Sequence, residues 1–263
     1  MKLELDGRHA LVCGASKGIG RATATELAAL GADVTVLARS EDVLRALVDT
    51  LPRTHDAQQH RFLVADMSDR PALAAAIEAH IAAHPAQILI HNSGGPPAGP
   101  AHRADAAAFE QAFGQHLLAG QTLLQAVLPG MRAAGYGRLV NIISTSVKEP
   151  IPNLGVSNTV RAAVASWAKT LAGELAADGI TVNNVLPGFT ETGRLASLIA
   201  GRAKAQGIDE DAVARDMLGH VPAARFGKPE EVAAVAAFLC TPAAAYVNGV
   251  SIAVDGGRTR SLS

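Results

Sequence analysis

Residues 14–20, Gly-Ala-Ser-Lys-Gly-Ile-Gly, limit the possible folds more than any other stretch of this chain. They follow an apolar run, His-Ala-Leu-Val-Cys at 9–13. They lead into a helical pattern from Gly18 to Leu30, closed by Gly31. Glycine at these spacings permits a turn too tight for side chains. A strand that enters a helix through such a turn is the opening unit of a parallel α/β sheet. The alternation then continues. Strand-like runs fall at 33–38, 61–65, 87–91, 138–143, 180–186 and 250–254. Helical stretches fall at about 41–51, 70–84, 105–133, 154–177 and 228–240.

Seven strands alternating with helices predict an α/β fold: one doubly wound Rossmann-type domain, with a seven-stranded parallel sheet and helices on both faces. Of the 263 residues 49% are hydrophobic and 18% charged, enough apolar sequence to fill one large core and too little charge for a disordered chain. A single domain over 1–263 is expected. A substrate-loop insertion at about 190–226 carries weak helical patterns at 193–206 and 209–219. The net charge of −1 offers no footprint for nucleic acid or an anionic membrane. No apolar run is long enough to span a bilayer, and the N-terminus lacks a signal-peptide pattern. Cys13 and Cys240 read as small buried hydrophobes. The expectation is a cytoplasmic protein with no nucleic-acid and no membrane partner. His80 and His84 have the spacing of a metal pair but no third ligand nearby. They read as a solvated helix face, and no metal site is expected.

The glycine turn also has a chemical reading. Its backbone can approach a pyrophosphate, and the following helix N-terminus meets the charge. At the end of the second strand, where a carboxylate would bond a ribose 2′-hydroxyl, stand Ala38 and Arg39. Lys17 adds a cation in the turn. Two cations without a carboxylate favour NADP(H) over NAD, although either would also suit a solvated surface. Asp33 lies at the far end of that strand, and Glu41 and Asp42 suit the first turn of the next helix.

The spacing Gly-x-x-x-Gly-x-Gly resembles that of the classical short-chain dehydrogenase/reductase family. The resemblance extends to Asp66, His91-Asn92-Ser93-Gly94, Asn141-Ile142-Ile143-Ser144, Pro187-Gly188 and Val254-Asp255-Gly256-Gly257. It is strongest to the 3-oxoacyl-acyl-carrier-protein reductase branch. It implies a nucleotide held by Gly14, Ser16, Lys17, Gly18, Ile19, Gly20 and Arg39. Asp66 would contact adenine, Asn92 and Gly94 would line the ribose, Pro187 and Gly188 would follow the sixth strand, and Thr192 would reach the nicotinamide carboxamide. It also implies a homotetramer, associated through the helices at 105–133 and 154–177 and the region of the last strand.

The catalytic positions depart from the family. Its Tyr falls 13 residues after Ser144, which is Ser157 here, and its Lys position is Arg161. Its Asn position falls on His116. Tyr136 and Tyr246 lie elsewhere in the pattern. Residues 157 and 161 share a helix face. A serine hydroxyl is a weak acid, while Arg161 keeps its charge and can stabilise an oxyanion. His116 titrates near neutrality if exposed, which makes it the best remaining acid, with Lys148 as a further cation. Ser144, Ser157, Arg161 and His116 are thus the candidate catalytic set. The expected activity is NADPH-dependent reduction of a small-molecule carbonyl, nearest to a 3-oxoacyl thioester. The alternative is a catalytically silent NADP(H)-binding sensor or a non-catalytic subunit. Leu195, Leu198 and Ile199 are candidates to face an acyl chain, and Arg194, Arg202 and Lys204 to meet a carrier phosphate. An ordinary amphipathic helix explains these six as well.

Overall fold

The computed structural model describes residues 1–262. Seven parallel strands, β1 (His9–Cys13), β2 (Asp33–Ala38), β3 (His60–Val64), β4 (Ile88–His91), β5 (Gly137–Ile142), β6 (Ile180–Pro187) and β7 (Ser251–Val254), form one sheet. Their order is β3-β2-β1-β4-β5-β6-β7. The chain reverses direction across the sheet between β1 and β4, and this switch point opens a crevice at the strands' carboxyl ends. The strand assignments from sequence stand, with ends differing by about a residue.

Helices α1 (Gly18–Ala29), α2 (Glu41–Thr50) and α9 (Pro229–Cys240) cover one face. Leu27, Leu44 and Val232 pack there against Val12, Val34 and Val140. Helices α3 (Arg70–Ala83), α5 (Ala119–Ala133) and α6 (Gly155–Leu175) cover the other, with Leu73, Leu123 and Leu171 on Leu11, Leu89 and Leu139. Each fully buried leucine contributes about 1.5–3 kcal/mol. Because both faces are covered, the central strands are buried along their length rather than on alternate residues, and the polar side chains they carry, such as Asn141 and Asn184, are paired with one another.

The sequence predicts one helix over 105–133. The structure breaks it into α4 (Ala106–Phe113), a π-helical turn at Gly114–Leu118 and α5. The π turn carries His116 and buries it. Insertion of one residue into a helix rotates the side chains that follow, and such bulges favour functional sites.

The 190–226 segment folds as α7 (Gly193–Gln206) and α8 (Glu210–Gly219). Leu195, Ile199, Ala203, Val213 and Met217 form their own small core under Phe189 and Phe226. Ile199 therefore packs inside the insertion instead of facing a substrate. No described helix is long and apolar enough to cross a membrane.

The His80–His84 expectation needs correction. The His80 ring bonds Thr35 Oγ1 at 2.9 Å, and the same hydroxyl meets His9 Nε2 at 2.8 Å. This half-buried cluster ties α3 to β1 and β2 at the end of the sheet away from the crevice. Among the described residues no group of three or more His, Cys, Asp or Glu is placed to hold a metal.

Candidate active site

The glycine turn fits a pyrophosphate. Gly14 and Gly18 have φ of +61° and +57°, where other residues are strained. A Cβ on Gly20 would lie 2.3 Å from the Gly14 carbonyl oxygen. The N-terminus of α1 has no side-chain cap and no acid in its first turn, so its N–H groups are free for an anion. Asn92 sets the turn: its Nδ2 donates to the carbonyls of Cys13 and Gly14, each at 3.3 Å. Cys13 is fully buried and its thiol is pushed up to about 12 by burial, so it serves packing.

Two cavities flank this turn and share Gly14, Ser16, Lys17, Asn92 and Ser93. The outer one reaches Ala38, Arg39 and Asp66. Arg39 is exposed and lies 3.8 Å from the Asp66 carboxylate. Asp66 accepts from the Ser68 backbone and hydroxyl at 2.9 and 2.7 Å, which holds its carboxyl below the usual range. The shape suits a nucleoside with Arg39 free to meet a phosphate.

The inner cavity, about 290 Å³, is where the catalytic positions meet. Its wall includes Gly18, Ile19, Gly94, Ser144, Ser157, Arg161, Pro187, Gly188 and Thr192, all anticipated from sequence. Ser144 ends β5's extension and accepts the Ser146 N–H at 3.1 Å. Thr192 caps α7, accepting from Leu195 N. Gly188 is required by packing, since a Cβ there would lie 2.6 Å from Asp255 Cβ. Ser157 and Arg161 stand one turn apart on α6 and are 6% and 8% exposed. Arg161 Nη1 donates to the Ile142 carbonyl at 3.2 Å. Burial, and then the neighbouring Arg194, bring the Arg161 guanidinium down to about 10, so it remains a cation at neutral pH.

His116 departs from its expected role. It is 3% exposed and does not line the cavity. Ser93 stands between them, with its Oγ 2.6 Å from His116 Nδ1. Burial first, then the charge of Arg161, hold this imidazole down to about 2. It is neutral at physiological pH and does not serve as the acid. Its Nε2 is buried without a partner, as is Nε2 of His91. His91 has the structural place expected of it, with Nδ1 3.0 Å from Asn141 Oδ1. Asn141 continues to Asn184 at 3.0 Å.

Lys148 does not line the cavity, nor do Arg202 and Lys204, whereas Arg194, Leu195 and Leu198 do. Tyr136 is buried at the far end of β5, where its hydroxyl donates to the Cys240 carbonyl. Tyr246 is fully exposed. The C-terminal segment braces the site loop: Glu149 accepts from the backbone of Arg260 at 2.7 Å, and Arg258 reaches Thr145 Oγ1 at 3.3 Å. Sequence reasoning missed the role of Ser93 and, although it named Arg194 as a candidate for a carrier phosphate, missed its approach to Arg161. The family's alanine at position 93, here a serine, was the available signal for the first.

A switch-point crevice with a phosphate turn at one end and clustered hydroxyls and a buried cation at the other defines a dinucleotide-dependent oxidoreductase site. A family model described as enoyl-(acyl carrier protein) reductase matches residues 14–259. The chain is 34% identical to the 3-oxoacyl-[acyl-carrier-protein] reductase FabG of Pseudomonas aeruginosa, over 97% of this chain and 98% of that one. It is 29% identical to the NADPH-dependent reductase BacG of Bacillus subtilis, over 97% and 99%. The solved L-sorbose reductase of Gluconobacter frateurii, complexed with NADPH and L-sorbose, superposes with a TM-score of 0.91 at 28% identity and full coverage of both chains. The chain belongs to the short-chain dehydrogenase/reductase family of NAD(P)-dependent oxidoreductases.

Proposed function

We propose that the protein is an NADP(H)-dependent carbonyl reductase that works without the family's tyrosine. The observation that carries this reading is the buried Arg161 cation beside Ser144 and Ser157 on the wall of one cavity. Gly14, Ser16, Lys17, Gly18 and Ile19 would hold the pyrophosphate of the cofactor, and Arg39 would meet its 2′-phosphate. When bound, NADPH supplies the hydride. Ser144 and Ser157 donate hydrogen bonds to the carbonyl oxygen, and Arg161 supplies positive potential for the alkoxide that forms. The proton comes from solvent through water in the cavity: a serine hydroxyl is about as weak an acid as water, so any proton it gives the alkoxide is replaced from that water, and His116 is neutral. His116 acts on Ser93 through the hydrogen bond between Nδ1 and the hydroxyl, which fixes where that oxygen sits.

A 3-oxoacyl thioester is the nearest substrate by relationship, with Leu195 and Leu198 offering an apolar wall. A second reading is favoured by the replacement of the Tyr and Lys by Ser157 and Arg161: a protein that binds NADP(H) and turns nothing over. Titration with NADPH, followed by turnover against a panel of ketones and 3-oxoacyl thioesters, separates the two. Tight NADPH binding with no turnover of any carbonyl overturns the reductase reading.

A further inference from the structure

Arg161 and Arg194 come together although both are cations. Arg161 lies on α6 and Arg194 in the first turn of α7, yet the Nη2 atoms of both stand 3.5 Å from the point where a Cβ on Gly95 would lie. Arg161 is 8% exposed, Arg194 is exposed on its outer side, and both line the inner cavity. Arg161 Nη1 is held by the Ile142 carbonyl and Arg194 Nη2 donates to the Pro96 carbonyl at 2.7 Å. Those carbonyls orient the two groups and neutralise neither.

Among the described residues no carboxylate forms an ion pair with either arginine. The lining of the inner cavity contains no Asp or Glu, and its charged side chains are Lys17, Arg161 and Arg194. A buried guanidinium without a counter-ion is costly, and a second one alongside raises the cost. Gly95 places no side chain between them. Two guanidinium groups facing one gap match the two oxygens of a carboxylate.

We infer that Arg161 and Arg194 form a subsite for a carboxylate, and that the substrate is a small oxo acid whose carboxylate sits there while its carbonyl lies against Ser144 and Ser157. This rests on the carbonyl-reductase reading for the second half only. The anion site itself follows from charge and geometry. The subsite also suits arginine at 161, whose planar fork keeps one N–H on the Ile142 carbonyl while its other nitrogen faces the gap beside Gly95.

The test uses the cofactor-loaded protein and acetoacetate, with its neutral methyl ester as the matched probe. Binding is read by calorimetry with NADP+ in place of NADPH, so that no hydride is available, and turnover is read separately with NADPH. The acid should bind roughly ten- to a hundredfold more tightly than the ester, as expected for charged hydrogen bonds. Arg194→Gln should remove that difference and leave affinity for the ester and for NADPH unchanged. Lys204→Gln, an exposed change on the same helix, should preserve the difference. Equal affinity for acid and ester in the unaltered protein overturns the inference, and so does an Arg194→Gln protein that still prefers the acid. If the acid binds through Arg194 but neither probe is reduced, the reductase reading fails and the anion site stands. If the ester is reduced and the acid neither binds better nor reacts faster, the anion site fails and the reductase reading stands.

Discussion

Ser93 Oγ lies 2.6 Å from Nδ1 of His116, and that bond separates the histidine from the cavity it was expected to serve. The π turn at Gly114–Leu118 makes the contact possible by turning His116 inward toward the loop after β4. The imidazole, held to about 2, is neutral and shares a hydrogen bond with the hydroxyl.

The first prediction concerns this histidine. Its resonances should show no titration between pH 5 and 8 in an NMR pH series. The rate of carbonyl reduction should lack an inflection attributable to it, and His116→Asn should keep the same pH profile. A shift centred near 6.5 that disappears in His116→Asn would restore His116 as the acid.

The second concerns acid stability. His91 is held to about 4 and His116 to about 2, mainly by burial, against 6.5 for a free imidazole. In this range the unfolded chain takes up protons that the native state refuses. The stability due to neutral imidazoles is therefore complete above pH 6.5 and declines as pH falls toward the folded values. Between about pH 6.5 and 5 each of the two should cost up to roughly 2 kcal/mol. Urea midpoints measured at both pH values should show the loss. The double variant His91→Asn with His116→Asn should reduce the loss, the remainder coming from His9, His60 and His80, which burial also holds below 6.5, and an unaltered slope in that variant would contradict the account.

The third concerns the nucleotide. NADPH should bind more tightly than NADH, by roughly ten- to a hundredfold, because Arg39 is exposed at the end of β2 with no partner closer than the 3.8 Å contact to Asp66. Arg39→Asp should reverse the order in a fluorescence titration. Equal affinities in the unaltered protein would refute the assignment.

The fourth concerns the missing acid. Ser157→Tyr with Arg161→Lys restores the family pair on one face of α6. Reduction of a neutral ketone should rise by about 10²–10⁴-fold, the usual contribution of a positioned general acid. No gain in single-turnover rate would mean that the cavity does not orient a carbonyl.

The fifth concerns assembly. A homotetramer is expected, joined through the outer faces of α5 and α6 and the open edge at β7, whose residues are only half-buried in the single chain. Light scattering at micromolar concentration tests it, and a monomer would refute it.

The strands were readable because each is apolar and bounded by turn residues, and the nucleotide end because glycine positions in a strand–turn–helix unit leave few alternatives. The broken helix at 114–118 was not readable. In Gly-Gln-His-Leu-Leu only Gly114 disfavours a helix, and it does not say that a residue is inserted; the turn packs against α6 and bonds the Ser93 loop. His80 shows the same limit: its spacing with His84 is a local fact, while its bond to Thr35 depends on how α3 lies on the sheet.

The sequence by itself determined the α/β class, the order of elements, the phosphate turn and the loss of the Tyr–Lys pair, because each depends on residue identity at short range. Only the tertiary structure decided that His116 is neutral and hidden behind Ser93. Only it brought Arg194, on an element 33 positions further along the chain, against Arg161. Desolvation and the charge of a distant neighbour set those properties, and both arise only when separate helices close over the same crevice.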